Sequence, residues 1–372
     1  MDLSHKYSTW VEIDLGAIEG NVRYMRDLSR AEVMVIVKAD AYGHGALPVA
    51  QSALRGGATW CGVARIGEAL ELRQAGLDCP ILLLGYTPAG RMREAINQNI
   101  SMTVWNYSQV KTASAQALDT GNSALLHLKV DTGMGRLGVL PQETFALAEQ
   151  ISNTPGVILE GIFTHFARAD EFDKTASVHQ ESVFKTVITQ LQASNLLPPV
   201  VHAANSAISL TRPSAHFNLV RLGIAMYGLH PSPDCPAPEA MRPALAWKSV
   251  LSQVKILPAG SGVSYGHEYI TQGNERIGTI PVGYADGFRR TQGNYVLVAG
   301  ERAPVIGRVC MDQIMVQLDE VPEVRTGDPV ILIGEQGQNR ITAEDIARIW
   351  KTINYEVVCA IGRRVPRINV QV

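Results

Sequence analysis

The chain has 372 residues, 46% hydrophobic and 18% charged, with a formal net charge of -2, the balance of a packed globular enzyme with room for two domains. Charge so near neutral, with no basic tract interleaved with aromatics, offers no footing for nucleic acid or a membrane surface, and neither a signal-length apolar core in MDLSHKYSTW nor a bilayer-length apolar run is present. Five cysteines (Cys61, Cys79, Cys235, Cys310 and Cys359) form no C-x-x-C pair, which speaks against a metal site or a disulfide framework and for a reducing cytoplasm.

In chain order, short apolar runs alternate with longer amphipathic stretches. The runs are Val33–Val37, Trp60–Ala64, Ile81–Leu84, Met102–Val104, Leu125–Val130, Ile158–Phe163, Val200–Ala203 and Leu219–Ile224. Helical periodicity separates most of them, as in Arg65–Gln74, Gln142–Ile151 and Ser177–Ala193. This alternation predicts parallel βαβ units, and eight of them close into a (β/α)8 TIM barrel of about 250 residues. The proline-rich PSPDCPAPEAMRP (231–243) marks a boundary. Beyond it come short strands and turns: WKSVLSQVKIL, RIGTIPVG, YVLVAG, APVIGRV, QIMVQLD and DPVILIG. One helix interrupts them, starting at Thr342, with Asp345 at the capping-box position. The expected architecture is an α/β barrel over residues 1–240 followed by a mostly β domain over 241–372.

Function in such a barrel sits at the C-terminal strand ends, and these ends are polar. The first strand ends in Lys38. The fifth alternates, with His127, Lys129 and Asp131 on the face predicted to point inward. The sixth ends in Thr164 and His165, the seventh carries His202 and runs into Asn205 and Ser206, and the eighth carries Arg221. A single lysine at a strand end is ordinarily a snorkelling surface residue. Several titratable groups converging on one mouth instead point to an anionic ligand or a catalytic constellation, because unpaired buried charge is costly. The loops after strands seven and eight, AANSAIS and RLGIAMYG, offer the Ser206 hydroxyl and the backbone N–H groups of Gly223 and Ile224, where such barrels often bind phosphate. Phosphate donors opposite a strand-end lysine suit a phosphorylated aldehyde held as an imine, pyridoxal 5'-phosphate.

The motifs VKADAYGHGA, DTGMGRLG, EGIFTHFA, HAANSA, VRLGIAMYG, GSGVSYGHEY, PVGYADGF, GRVCMDQ and INYEVVCAIGRRVPR follow one another along nearly the whole chain. In this order they resemble the alanine racemases, fold-type III pyridoxal-phosphate enzymes. The resemblance implies that Lys38 binds the cofactor and acts as one base, and that Tyr265 is the other. A racemase needs acid–base groups on both faces of a planar carbon. A tyrosine, with an ordinary pKa of about 10, needs help to deprotonate, and His165 is the family's candidate. Arg221 resembles the arginine facing the pyridine nitrogen. Because arginine keeps its protons, that ring would be a weaker electron sink, which limits side reactions. Phosphate contacts would come from Tyr42, Ser206, Tyr355, Gly223 and Ile224, with Asn205 beside them. Arg136, Met311, Tyr265 and Tyr284 correspond to substrate contacts, and Lys129 to a lysine often N-carbamylated in the family.

Tyr265 and Met311 lie far along the chain from Lys38, and the family completes each barrel site with these residues from a second subunit. A homodimer with shared sites is therefore expected, making D-alanine for peptidoglycan in the cytoplasm. Two departures stand out: Asp40 where asparagine is commoner, and Arg168 where a smaller residue is expected. Tyr355 and Met311 argue for a substrate with a small side chain. The alternative is a serine or broad-specificity racemase, since a methyl pocket rejects an added hydroxyl imperfectly. A decarboxylase of basic amino acids would lack GVSYGHEY and the DTGMGRLG arginine, and a bare-barrel cofactor carrier would lack the second domain.

Overall fold

Eight short strands, Glu32–Ile36, Trp60–Val63, Ile81–Leu83, Ser101–Val104, Ala124–Lys129, Val157–Phe163, Val200–His202 and Leu219–Leu222, pair in parallel and in chain order. The first and last of them pair, Val33 opposite Val220, and close the barrel. We describe this from a computed structural model that covers residue 3 and residues 5–371. The expected strand runs and helices are present, with helices at Ile66–Gln74, Thr144–Ser152 and Thr175–Ala193 among others. The barrel strands are mostly buried on both faces, as their apolar runs require, with residues 157–160 partly exposed. Gly62 shows how tightly the interior is filled, since a Cβ there would lie 2.7 Å from Ile36 Cδ1.

Contacts divide the chain into two units: Gly16–Ala41 with Gly45–Arg242, and the segment through Leu15 with Tyr42–His44 and Pro243 onward. The second unit is built on an antiparallel sheet in which Gln253–Leu257, Glu275–Ile280, Ile314–Gln317, Glu301–Ile306, Tyr295–Val298, Pro329–Gln336 and Leu245–Val250 are neighbours in that order. Its far edge comes from the two ends of the chain. Thr9–Asp14 pairs antiparallel with Leu245–Val250, placing Trp10 opposite Lys248, and pairs parallel with Arg367–Val370. The sequence reading did not anticipate the N-terminal strand. Its partners lie more than two hundred residues away, so nothing local announces them.

The expected helix runs from Ala343 to Trp350. Thr342 Oγ1 accepts from Asp345 N–H at 3.1 Å and Asp345 Oδ2 from Thr342 N–H at 3.0 Å, a complete capping box. A second helix, Asn354–Ala360, follows where only one was expected. At two turns it is too short to display an amphipathic repeat. Among the described residues, no helix is long and apolar enough to cross a membrane, and no group of three or more His, Cys, Asp or Glu is placed to hold a metal ion.

Candidate active site

Lys38 opens a turn of unusual hand. Ala39, Asp40, Ala41 and Tyr42 all have φ between +52° and +54°, and Gly43 follows at +80°. L-residues in this left-handed region each cost about 1–2 kcal/mol. The strain is held by contacts on both sides: Ala39 N–H donates to Glu68 Oε1 at 2.6 Å, and Asp40 Oδ1 accepts from Ala46 N–H at 2.8 Å. Asp and Asn are the non-glycine residues that tolerate this conformation best, so Asp40 serves the turn as the commoner asparagine would. Strain of this kind collects where a side chain must be presented in one direction, here Lys38 at the end of a buried strand.

Arg221 is buried at the same end of the barrel, 3% exposed. Its Nη1 donates to His202 Nδ1 at 2.9 Å, and its Nη2 donates to Thr164 O and Ala203 O at 2.9 Å and to His165 Nδ1 at 3.2 Å. These acceptors are carbonyls and imidazoles, without a carboxylate. Burial, and then Arg136, push the guanidinium down to about 9, which leaves it charged at neutral pH. Lys129 is buried with it, its Nζ 5.3 Å from the centroid of the Phe163 ring. Burial first, then Arg136, Arg221 and Lys38, push its amine down to about 8, against the pull of Asp131. His165 is held well below its usual range by burial and by the same cations, Lys38 included. Lys38, Lys129, Arg136 and Arg221 therefore form one cationic field around a neutral His165.

Arg136 belongs to a loop shaped by Asp131, whose Oδ1 accepts from the N–H groups of Gly133, Met134 and Gly135 at 3.0, 2.9 and 3.1 Å. Asp131 was expected among the inward-facing residues of its strand; it lies past the strand end at Lys129 and builds the loop instead. Gln180 donates to His165 O at 3.1 Å, and Thr132 and Thr164 share a 2.7 Å hydroxyl bond, steadying the backbone around the imidazole.

Across the mouth, Ser206 Oγ accepts from Gly223 N–H at 3.0 Å and Ala225 N–H at 3.3 Å. Ser206 begins the helix Ser206–Thr211 and Ile224 begins the helical turn Ile224–Tyr227. Asn205 caps the first of these, its Oδ1 accepting from Ile208 N–H at 3.0 Å. Arg168 lies outside this cluster: it is exposed and paired with Glu171, Nε to Oε2 at 2.7 Å.

The second unit gathers the other expected residues into two places. Tyr42 and Tyr355 bring their ring centroids to 6.0 Å, and burial pushes the Tyr42 hydroxyl up. Tyr265, Tyr284 and Met311 stand at the surface, 70%, 46% and 52% exposed. Their loops are tied together. Ser264 Oγ donates to Arg308 O at 2.6 Å, Tyr284 N–H to Cys310 O at 3.1 Å and Ala285 N–H to Met311 O at 3.0 Å. A Cβ on Gly283 would strike Met311 O at 2.3 Å, so only glycine permits the approach.

Residues 13–231 match the family of alanine racemase N-terminal domains, and residues 244–369 the family of alanine racemase C-terminal domains. The chain belongs to the alanine racemase family. It is 47% identical to the alanine racemase of Geobacillus kaustophilus (strain HTA426), over 99% of this chain and 96% of that one. Its fold superposes on the alanine racemase of Clostridium difficile 630 with a TM-score of 0.93 at 40% identity, covering 98% of this chain and 96% of that one. The alanine racemase of Bacillus anthracis, solved with bound L-Ala-P, gives 0.92 at 40% identity, covering 98% and 95%.

Alanine racemases depend on pyridoxal phosphate, and the barrel mouth fits that group. A strand-end amine suits the aldehyde. A buried guanidinium that can only donate suits the ring nitrogen. A hydroxyl and backbone N–H groups at two helix starts suit the phosphate. The sequence reading of the site missed Glu160 and Ser101. A carboxylate inside the apolar run Ile158–Phe163 was the available signal.

Proposed function

We propose that this chain interconverts L- and D-alanine with Lys38 and Tyr265 as acid–base groups on opposite faces of the substrate α-carbon. Family membership carries the reaction class, an isomerase dependent on pyridoxal phosphate. The observation that supports the residue roles is the grouping of the cations Lys38 and Arg221 around a neutral His165. When bound, pyridoxal phosphate supplies the electron sink that makes the α-proton of alanine removable.

The residues then divide the work. Lys38 would hold the cofactor aldehyde and, once the substrate amine takes its place there and frees its own amine, would exchange a proton on one face. Arg221 fixes the polarity of His165: a guanidinium can only donate, so His165 Nδ1 is the acceptor and its proton sits on Nε2. That N–H can donate to a phenolate oxygen, which lowers the cost of deprotonating Tyr265. Ser206, Gly223, Ile224, Tyr42 and Tyr355 hold the phosphate, with Asn205 fixing the helix start that carries Ser206. Arg136 and the Met311 N–H bind the substrate carboxylate, and Tyr284 and Tyr355 narrow the space around its side chain to a methyl group.

The partner subunit's Tyr265 completes each site in a homodimer. The support is the exposure of Tyr265, Tyr284 and Met311 together, since large apolar side chains clustered at a surface mark an interaction site. In this reading residues 1–240 carry the cofactor and 241–372 supply the second base. The enzyme works in the cytoplasm and its D-alanine feeds peptidoglycan. The test is polarimetric: the rotation of L-alanine should decay to zero, and L-serine should racemise much more slowly. Serine turnover as fast as alanine turnover would give the site to a broad-specificity racemase.

Lys129 is proposed to be carbamylated, exchanging a crowded cation for an anion beside Arg136. Unmodified, its folded pKa of about 8 lies below its unfolded value of about 10.4. The unfolded chain then binds more protons between these values, so stability rises with pH across that window. Relative to Lys129→Met, CO2-free protein should gain about 2–3 kcal/mol between roughly pH 8 and 10.4, read by urea denaturation. In bicarbonate the difference should vanish. A difference flat with pH in CO2-free buffer would mean that the amine is not depressed.

A further inference from the structure

The buried histidines His202 and His127 and the partly buried Glu160 take no part in the roles above. They form a chain. His202 Nδ1 accepts from Arg221 Nη1 at 2.9 Å, His202 Nε2 lies 3.0 Å from His127 Nδ1, and His127 Nε2 lies 3.1 Å from Glu160 Oε2. Ser101 Oγ also donates to Glu160 Oε2. Both imidazoles are fully buried.

The backbone is shaped for this chain. Leu126 pairs with Leu159 but His127 pairs with Gly161, so Glu160 is the extra residue of a bulge in the strand Val157–Phe163. Bulges re-aim a side chain beside functional sites. Here the bulge lets Glu160 reach both Ser101, two strands away, and His127 on the neighbouring strand. Gly161 makes the room, since a Cβ there would lie 2.3 Å from His127 Nδ1. The His202 ring is also clamped, stacked on Phe163 at 4.6 Å and 7°.

We infer that Glu160 is a positioning residue for Arg221, setting through His127 and His202 the direction of every hydrogen bond in between. A carboxylate at one end can only accept and a guanidinium at the other can only donate. His127 must therefore carry its proton on Nε2 and accept at Nδ1, and His202 must do the same. Both rings are neutral, and His202 Nδ1 always presents a lone pair to Arg221. Charge agrees with this assignment. Burial raises the Glu160 carboxyl, but its bonds with His127 and Ser101 outweigh that and keep it ionised. Burial holds His127 and His202 below their usual range. Without the carboxylate, Arg221 alone opposes the reversed arrangement, because a glutamine amide at 160 can donate to His127 Nε2 as well as accept from it. Reversed tautomers would then turn an N–H of His202 against Arg221, the guanidinium that the proposed function places at the cofactor ring.

The test is nitrogen NMR of the holoenzyme carrying 15N-labelled histidine, with steady-state kinetics on Glu160→Gln. Wild-type His127 and His202 should each show one neutral Nε2–H tautomer. The isosteric, uncharged glutamine should give mixed tautomers at both rings and lower kcat about 10-fold, the low end of the scale for groups that orient a site from behind, with KM for alanine changed less than two-fold. The inference is overturned if either wild-type ring is doubly protonated or carries its proton on Nδ1. It is equally overturned if Glu160→Gln keeps the wild-type kcat, or loses activity with both tautomers unchanged. The wild-type spectrum decides the point even where the variant fails to fold. It does not depend on turnover, so failure of the wild type to racemise alanine would count against the proposed function alone.

Discussion

Lys38→Ala is expected to lower alanine racemisation by about four orders of magnitude or more. In the proposed function this one substitution removes both the amine that anchors the cofactor and a proton-transfer group that by itself is worth about 10²–10⁴. The visible absorbance of the bound cofactor should be lost or displaced with it. The fold should survive. Lys38 is only half-buried at the end of its strand, and its charge adds to the crowding felt by Lys129 and His165. Circular dichroism and thermal melting should therefore match the wild type while chiral chromatography of the products shows no turnover. A variant that kept a hundredth of wild-type activity would take Lys38 out of the chemistry.

Mixing two inactive proteins is expected to restore about a quarter of wild-type activity if sites are shared between subunits. Tyr265→Ala alone should fall about 10³-fold, the scale of a lost acid–base group. When Lys38→Ala and Tyr265→Ala subunits exchange at equal concentration, half of the dimers are mixed. Each mixed dimer has one site with both bases and one with neither, so about one site in four is intact. A site made within one chain would recover nothing, because every chain carries a defect. Exchange should be followed independently, by mass-tagged subunits, so that absent recovery after complete exchange excludes the shared site. The exposure of Tyr265 at 70% motivates the experiment, since a buried base would have no need of a partner.

The two results separate different claims. Loss in Lys38→Ala tests the cofactor lysine in the barrel. Recovery in the mixture tests where the second base comes from. If the first holds and the second fails, the racemase reading stands and the homodimer arrangement falls.

Much of this was determined locally. The eight barrel strands are legible because each is a short apolar run bounded by turns, and the helices because their period is 3.6. The cationic field is legible in part because strand alternation sends Lys129 to the inward face, because the strand Leu219–Leu222 carries Arg221, and because Lys38 follows closely on the strand Glu32–Ile36. The capping box at Thr342 is a spacing of three residues and needs no tertiary contact. The order of the motifs, read as a set, identified the family.

Only the tertiary structure decided the rest, and in each case the cause is distant or unpatterned. The strand Thr9–Asp14 belongs to the second unit because it pairs with Leu245–Val250 and Arg367–Val370, and pairing between segments so far apart leaves no local trace. The left-handed turn after Lys38 runs against the intrinsic preference of four residues, and its hydrogen bonds with Glu68 and Ala46 fix it from outside. Asp131 left the inward face because three backbone N–H groups of its own loop claim its oxygen. Glu160 reads as an oddity inside an apolar run until the bulge, the room above Gly161 and two histidines on neighbouring strands come together around it. Strand alternation can say which face a residue takes. The carboxylate and the guanidinium at the two ends decide which way the hydrogen bonds between those faces point, and only the closed barrel brings them into one line.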